Sequence, residues 1–486
     1  MKSLADILYR TGITEVAGNT MIDIHGITAD SRLVGDGFCF VAVSGTQVDG
    51  HQFIDKAVDH GAVAVVCEKM PEKLQQDVTY VVVSNSTKAL GIAAGHFYGN
   101  PSEKLKLIAV TGTNGKTTVT SLLYQLFEDM GYPSGLISTI DVRINGEVVP
   151  ATHTTPDPVS LQRHLARMER SGVEFCFMEA SSHGIVQERM AGIVPTGAVF
   201  TNLSHDHLDY HKTVKNYIAA KKKLFDDLPS SAFALYNADD RNGKIMVQNT
   251  KAKTWSFSLQ RPADYHVNVL ENDINGLMLR TEDTEFFSPL NGRFNASNLA
   301  AVIAVTQLLD IPLHTALLHV SKLKPARGRF EKLMLPNGST AIIDYAHTPD
   351  ALDKILSSIA ELKTPDQQLT VVVGCGGNRD RDKRPVMGNI AGSIAERIIF
   401  TSDNPRSEDP NAIIDEMENG VEIVHRKKCL RITDRKQAIL AALQQSSEGD
   451  IVLIAGKGHE TYQEINGVRH PFDDREIVNT FIKQYN

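Results

Sequence analysis

The chain has 486 residues, 42% of them apolar and 22% charged, with a formal net charge of −8. That length buries several cores and points to about three domains, and an acidic balance without long basic runs excludes a general nucleic-acid binder in favour of local pockets for small anions. No apolar run nears the ~18 residues needed to span a bilayer, and Asp6 and Arg10 interrupt the N-terminus where a signal peptide needs an apolar stretch, so a cytoplasmic protein without membrane insertion is expected. The five cysteines (Cys39, Cys67, Cys176, Cys375 and Cys429) are scattered, odd in number and free of any C-x-x-C pair. That argues against a disulfide framework or zinc knuckle and for buried thiols.

In chain order, residues 1–102 read as a small α/β domain with strand runs at 37–43 and 62–67, a helix near 53–60, and a closing breaker Gly99-Asn100-Pro101-Ser102. Residues 103–328 alternate helices with strand runs at 173–178, 197–201 and 232–236, the pattern of a mostly parallel sheet. Residues 329–486 place compact apolar runs at 341–343, 369–373, 397–400 and 451–455 between helical stretches, which predicts a Rossmann-like domain. The fold class is therefore α/β in three domains.

The run from Val110 to Thr118 reads Val-Thr-Gly-Thr-Asn-Gly-Lys-Thr-Thr. Leu105, Leu107, Ile108, Ala109 and Val110 make a buried strand before it, and Val119, Leu122, Leu123, Leu126, Phe127 and Met130 recur at helical spacing after it. Backbone N–H groups at such a helix start face an anion, Lys116 adds a charge for outer phosphates, and the Thr117 hydroxyl reaches Mg²⁺. The usual loop is G-x-x-x-x-G-K-[ST]; here Val110 stands where the first glycine falls, and Gly112 comes two residues later.

Two clusters follow strand-like runs downstream: Glu179 to His183, and His205-Asp206-His207-Leu208-Asp209. Carboxyl ends of parallel strands share one sheet edge, so Glu179 and His207 converge on the phosphates or a metal. His205-Asp206-His207 also resembles the start of H-x-H-x-D-H in binuclear zinc hydrolases, but Tyr210 displaces the next histidine by one position. Lys221, Lys222 and Lys223 by themselves read as a solvated basic face. In the last segment Asn378-Arg379, Asp403-Asn404-Pro405-Arg406 and Gly456-Lys457-Gly458-His459-Glu460 all follow strand runs and should meet at one rim. Guanidinium groups at Arg379 and Arg406 with carboxylates at Asp403 and Glu460 suit a ligand carrying both carboxylate and ammonium at its far end. A bare ammonium there would meet an arginine and be repelled.

Thr-Gly-Thr-Asn-Gly-Lys-Thr-Thr, Glu179-Ala-Ser-Ser-His183, Asp206-His-Leu-Asp209, Asn295-Ala-Ser-Asn298, Gly328-Arg-Phe-Glu331 and Asp344-Tyr-Ala-His-Thr-Pro349, in this order, resemble the Mur ligase family over nearly the whole chain. These are ATP-dependent amino-acid ligases of peptidoglycan precursor synthesis, and Asp-Asn-Pro-Arg resembles the diaminopimelate signature of members adding the third residue of the stem peptide. The resemblance implies that Gly112, Thr113, Asn114, Gly115, Lys116, Thr117 and Thr118 hold ATP with Asn298, Arg329 and Asp344. It implies Mg²⁺ at Thr117, Glu179, His207 and Lys221, with Lys221 carbamylated, and catalytic roles for Lys116, Glu179, His207 and Lys221. UDP-MurNAc-L-Ala-D-Glu falls to Ser31, Thr46, Gln47, Val48, His153, Thr154, Thr155, Ser181, Gln187 and Arg189, and meso-diaminopimelate to Arg379, Asp403, Asn404, Pro405, Arg406, Gly456 and Glu460. A monomer is expected, with residues 1–102 binding the UDP-sugar, 103–328 the ATP and 329–486 the amino acid. The alternatives are an L-lysine-adding member, a folylpolyglutamate synthase-like ligase, and a nucleotide-switch protein, the last without the Asn-Lys-x-Asp guanine-reading motif.

Overall fold

The computed structural model describes residues 2–45, 48–204, 206 and 208–485, with only the backbone of Leu208, Asp209 and Tyr485. Three large sheets organise it. The first orders its strands Ile13–Ala17, Thr79–Val83, Ala62–Cys67, Phe38–Val41 and Gly26–Thr28, parallel except at the Ile13–Ala17 edge. Within Ala62–Cys67, Ala64 and Val66 pack under the helix Ser86–Tyr98, while Val65 and Cys67 face Ile54 and Ala57 of the helix Ile54–Asp59. A strand covered on both sides has no polar face, which is why this run reads as continuously apolar.

The helix expected near 53–60 is split into a 3₁₀ turn, Gly50–Phe53, and the α-helix Ile54–Asp59. The breaker at 99–102 does end the helix Ser86–Tyr98, with Gly99 left-handed at φ 87°. It is nevertheless a fitted joint: Pro101 and Ser102 are buried, and Ser102 Oγ accepts the Val194 N–H at 3.1 Å.

The second sheet has eleven strands. Its parallel centre runs Ser134–Ile137, Phe175–Glu179, Lys106–Thr111, Gly197–Phe200, Phe233–Asn237 and Lys253–Ser258. Antiparallel wings extend it at both ends: Asp141–Ile144 with Glu147–Pro150, and Tyr265–Asp273, Gly276–Thr281 and Thr284–Ser288. The first wing turns through Asn145 and Gly146, both at positive φ, the Asn-Gly pair that a two-residue hairpin requires. The register sets Glu179 opposite Val110 and Phe200 opposite Thr111, so the chain after each strand emerges beside the phosphate-loop candidate.

The third sheet orders Glu331–Met334, Thr340–Asp344, Ile451–Ala455, Leu369–Val373, Arg397–Phe400 and Cys429–Arg431, parallel except at the first strand. Val371 and Val373 point into one helix layer and Val372 into the other. The cysteines are free; four are buried and Cys429 is half-buried. Burial pushes the Cys39 and Cys176 thiols up to about 12. Among the described residues no helix is long and apolar enough to cross a membrane.

The segment entering the third sheet crosses the chain at Gly458. Gly328 has φ +65°, and a Cβ there would lie 2.2 Å from the Gly458 carbonyl carbon and 2.3 Å from the His459 nitrogen. Both obstacles are backbone and neither yields like a side-chain tip. Gly328→Ala should therefore destabilise the protein by about 2–4 kcal/mol, strain and overpacking together; calorimetric unfolding that matches the wild type would contradict this crossing.

Candidate functional site

The loop Gly112–Gly115 leaves the central strand Lys106–Thr111 and opens the helix Lys116–Asp129. Gly112, displaced from the expected first-glycine position, has φ +153°, and a Cβ on it would sit 1.9 Å from Thr201 Oγ1. Close approach of the neighbouring strand's end is what demands glycine here. That end braces the loop: the Asn202 carbonyl accepts Thr113 N–H at 2.8 Å, Asn202 Oδ1 accepts Asn114 N–H at 3.0 Å, and Thr201 Oγ1 donates to the Asn114 carbonyl at 2.6 Å. Thr201 and Asn202 escaped the sequence reading, because small polar residues after a strand carry no spacing signal. Thr117 and Thr118 are buried in the first turn of the helix.

Two lysines share one carbonyl behind the loop. Lys116 Nζ donates to Gly112 O at 2.9 Å and Thr113 O at 2.8 Å, and Lys221 Nζ donates to the same Gly112 O at 2.7 Å. Lys221 comes from the helix Val214–Asp226, is 1% exposed, and lies 4.5 Å from the centre of the Tyr217 ring. Desolvation first, then the neighbouring Lys116 charge, holds its amine well below the ordinary lysine range, and desolvation also lowers Lys116. Lys222 pairs with Asp226, and Lys223 with Asp227 and Glu188, as a surface face should.

Glu179 ends its strand fully buried. Its carboxylate accepts Thr139 N–H at 2.7 Å and Thr139 Oγ1–H at 3.1 Å, and Thr139 is in turn 3.1 Å from Thr154. Thr155 donates to the Glu179 carbonyl at 2.8 Å and lies 3.2 Å from Ser181; Arg189 donates to the Thr155 carbonyl at 2.8 Å and to Gln187 at 2.7 Å. Thr154, Thr155, Ser181, Gln187 and Arg189 thus form one network with Glu179, while His153 is exposed beside it. Ser31 and Val48 lie beyond the carboxyl ends of first-sheet strands; Ser31 is buried and Val48 54% exposed. Thr46, Gln47 and His207 lie outside the described residues, as does His205 of the alternative zinc motif.

A cavity of about 240 Å³ opens between the second and third sheets, lined by Asn114, Gly115, Thr118, Asn298, Arg329, Asp344, Tyr345 and His347 among others. Arg329 donates to Thr117 Oγ1 at 3.2 Å and lies 4.5 Å from the Tyr345 ring centre. Asn114 Nδ2 donates to Asp350 Oδ2 at 2.8 Å from the opposite wall. Asp344 accepts the Phe330 and Ala346 N–H groups at 2.7 and 2.8 Å, and burial raises its carboxyl above the ordinary range. A larger groove of about 430 Å³ beside Tyr124, Asp129 and His319 lies far along the helix from the phosphate loop and is lined by surface ion pairs.

From Tyr345 the site continues to the third rim. Its ring is 4.9 Å from His459, whose imidazole is held down to about 3 by burial and nearby cations. The expected residues do meet there. Asn404 donates to Glu460 at 2.8 Å, Arg406 Nη1 donates to the Gly377 carbonyl at 2.7 Å, and Arg406 Nε lies 3.5 Å from Glu464. Gly456 passes close enough that a Cβ would be 2.7 Å from Asp403 Oδ2, and Pro405 is buried with its carbonyl against Gly377. Arg379 is exposed at the rim. Two residues outside the expected set organise it: Lys457, whose side chain is fully buried, donates to Asn404 and Glu460, and fully buried Arg384 clasps Glu408 and Glu416.

Three family descriptions match the chain: "Mur ligase family, catalytic domain" over residues 23–98, "Mur ligase middle domain" over 110–306, and "Mur ligase, glutamate ligase domain" over 328–458. The UDP-N-acetylmuramoyl-L-alanyl-D-glutamate–2,6-diaminopimelate ligase of Cytophaga hutchinsonii is 50% identical over 98% of each chain. A solved structure of a ligase of the same name superposes with a TM-score of 0.72 at 34% identity, covering 99% of each chain. A MurF ligase of Thermotoga maritima, solved with ADP, shares the fold at 19% identity with a TM-score of 0.64, covering 94% of this chain and 97% of its own. With ordered motifs, a cavity between the second and third sheets and full-length identity in agreement, the chain belongs to the Mur ligase family.

Proposed function

We propose that the chain is an ATP-dependent ligase joining meso-2,6-diaminopimelate to UDP-MurNAc-L-Ala-D-Glu in peptidoglycan precursor synthesis. The observation that carries this reading is the line of contacts from Thr117 through Arg329 and Tyr345 to His459, whose neighbour in the chain, Glu460, is bonded by Asn404 of the Asp-Asn-Pro-Arg rim. It gives the phosphate loop and the amino-acid rim one cleft. The half-identity to a diaminopimelate ligase over the whole length supports the choice of amino acid. In this reading residues 1–102 bind the UDP-sugar, 103–328 ATP and 329–486 the amino acid, and the enzyme acts as a cytoplasmic monomer where its nucleotide substrates are made.

A carboxylate oxygen of the D-Glu residue attacks the γ-phosphorus of ATP and the bridging P–O bond breaks, releasing ADP and leaving an acyl phosphate. The amine of diaminopimelate attacks the acyl carbon, the C–O bond to phosphate breaks, and the surplus proton passes to water. Carboxylates are otherwise poor electrophiles. Lys116, now resting on loop carbonyls, turns its charge to the outer phosphates, and Arg329, which lines the cavity beside Thr117, would offset charge that builds up on the transferring oxygens. The network of Thr154, Thr155, Ser181, Gln187 and Arg189 orients the peptide so that its carboxylate meets the phosphate in line.

The donor chemistry fits Mg²⁺: the Thr117 hydroxyl and the buried Glu179 carboxylate, held by the N–H and hydroxyl of Thr139, are hard oxygens beside the loop. Thr117, Glu179, His207 and Lys221 would hold it, and it supplies neutralising charge to the phosphates. For Lys221 this requires a carbamate, formed when the neutral amine adds CO₂ and releases a proton. Desolvation and the Lys116 charge favour the neutral amine.

Incubation with UDP-MurNAc-L-Ala-D-Glu, ATP, Mg²⁺ and either diaminopimelate or L-lysine tests the reading by the mass of the product. Addition of diaminopimelate less one water is expected, and a product formed only with lysine would overturn it. Arg406→Ala should raise the KM for diaminopimelate by about a hundredfold while ATP binding stays within about twofold; an unchanged diaminopimelate KM contradicts the rim assignment. Carbon-labelled bicarbonate should give a carbamate resonance in the wild type that Lys221→Met lacks, with turnover of that variant down by about a hundredfold. A fully active Lys221→Met enzyme would remove the carbamate from the account.

A further inference from the structure

The amino-acid rim contains a buried cation that the reaction does not consume. Lys457 follows the strand Ile451–Ala455, and its side chain is fully excluded from water. Its Nζ donates to Asn404 Oδ1 at 3.1 Å and Glu460 Oε2 at 3.1 Å, and lies 3.6 Å from Asp403 Oδ1. Two of the ammonium's three protons are thus engaged in hydrogen bonds, and Asp403 adds an ion-pair contact.

The arrangement leaves its partners nearly saturated on the protein side. Asn404 Oδ1 also accepts the Glu464 N–H at 2.9 Å, and Asn404 Nδ2 donates to Glu460 Oε2 at 2.8 Å. Glu460 therefore spends Oε2 on Lys457 and Asn404, and among the described residues its Oε1 has no hydrogen bond. Two carboxylates, Asp403 and Glu460, face one ammonium, so this buried cluster is one positive charge short. An incoming amino acid brings an ammonium to the same rim.

We propose that Lys457 is a positioning residue that sets the amino-acid site: it holds the Glu460 carboxyl group in place, with Oε1 presented to the ammonium of the incoming amino acid. This rests on the reading of the rim given under Proposed function. The other charged or titratable groups facing the cluster fit it. Tyr462 lies with its ring centre 5.7 Å from Lys457 Nζ, and Tyr345 and Tyr462 are both held above the ordinary phenol range by burial, so neither supplies a competing anion at neutral pH. Arg435 is committed to Asp474 through a fully buried two-bond contact, and Arg406 to Gly377 O and Glu464. Burial and then the Asp403 carboxylate already push Glu460 above the ordinary carboxylate range, with Lys457 acting against them. Without Lys457 the cation that opposes burial and the Asp403 charge is gone, and the Glu460 carboxyl is pushed further up.

The test compares Lys457→Met, which removes charge and donors, with Lys457→Gln, which keeps length and two donors without charge. Each is checked for folding by thermal melting with and without ADP. Both should raise the KM for diaminopimelate about tenfold or more at neutral pH, with the KM for ATP within about twofold. The sign with pH follows from Glu460: its raised protonation is lost as pH rises, so both variants should regain amino-acid affinity at alkaline pH, and the wild type should show no such recovery. An unchanged diaminopimelate KM, full rescue by glutamine, equal losses for ATP and diaminopimelate, or failure of both variants to fold would each overturn the proposal. A wild type without diaminopimelate-dependent turnover would instead overturn the reading on which it rests.

Discussion

Arg329 spans the cleft. It belongs to the segment entering the third sheet, yet its guanidinium bonds the Thr117 hydroxyl in the first turn of the phosphate-loop helix and stacks on Tyr345. Both parallel sheets present the carboxyl ends of their strands to this point, because in a parallel sheet all the following loops leave from one edge. If the third sheet entered in another orientation, the phosphate loop and the Asp-Asn-Pro-Arg rim would be two unrelated surface features. The crossing of Gly328 on Gly458 holds that entry, since neither position has room for a side chain.

Inside the cleft, burial does chemical work. Lys116 and Lys221 meet on one carbonyl, and dehydration together with the Lys116 charge holds the Lys221 amine well below the ordinary lysine range. At the far rim the same dehydration acts in the opposite sense on Glu460, raising a carboxyl that Lys457 pulls back down. The two ends of the cleft thus bury lysines in different company: Lys221 beside another lysine, Lys457 among Asn404, Glu460 and Asp403.

Much of this was legible in the residues. The apolar run before Gly112 and the periodic one after it located the loop because a buried strand and an amphipathic helix have different periods. The strands at 369–373, 397–400 and 451–455 were found at their ends because each is covered on both faces and bounded by polar turns. The wings of the central sheet were not found: Tyr265–Asp273 is mixed in exposure along its length, and the Asn145-Gly146 turn of the other wing formed no part of the reading. Thr201 and Asn202 were invisible because their function is bracing backbone, which any small polar residue could signal. Lys457 lay in plain view between two glycines, yet nothing in sequence distinguishes a lysine that turns inward from one that snorkels to water.

The central claim is that ATP activates a peptide carboxylate within this cleft, and transfer of heavy oxygen tests it most directly. UDP-MurNAc-L-Ala-D-Glu labelled in the glutamyl carboxylate is turned over with ATP and diaminopimelate, and the released phosphate is weighed. The account predicts one labelled oxygen in each phosphate formed, because the acyl phosphate breaks at its carbon. Phosphate carrying no label, with amide product formed at the normal rate, would contradict it.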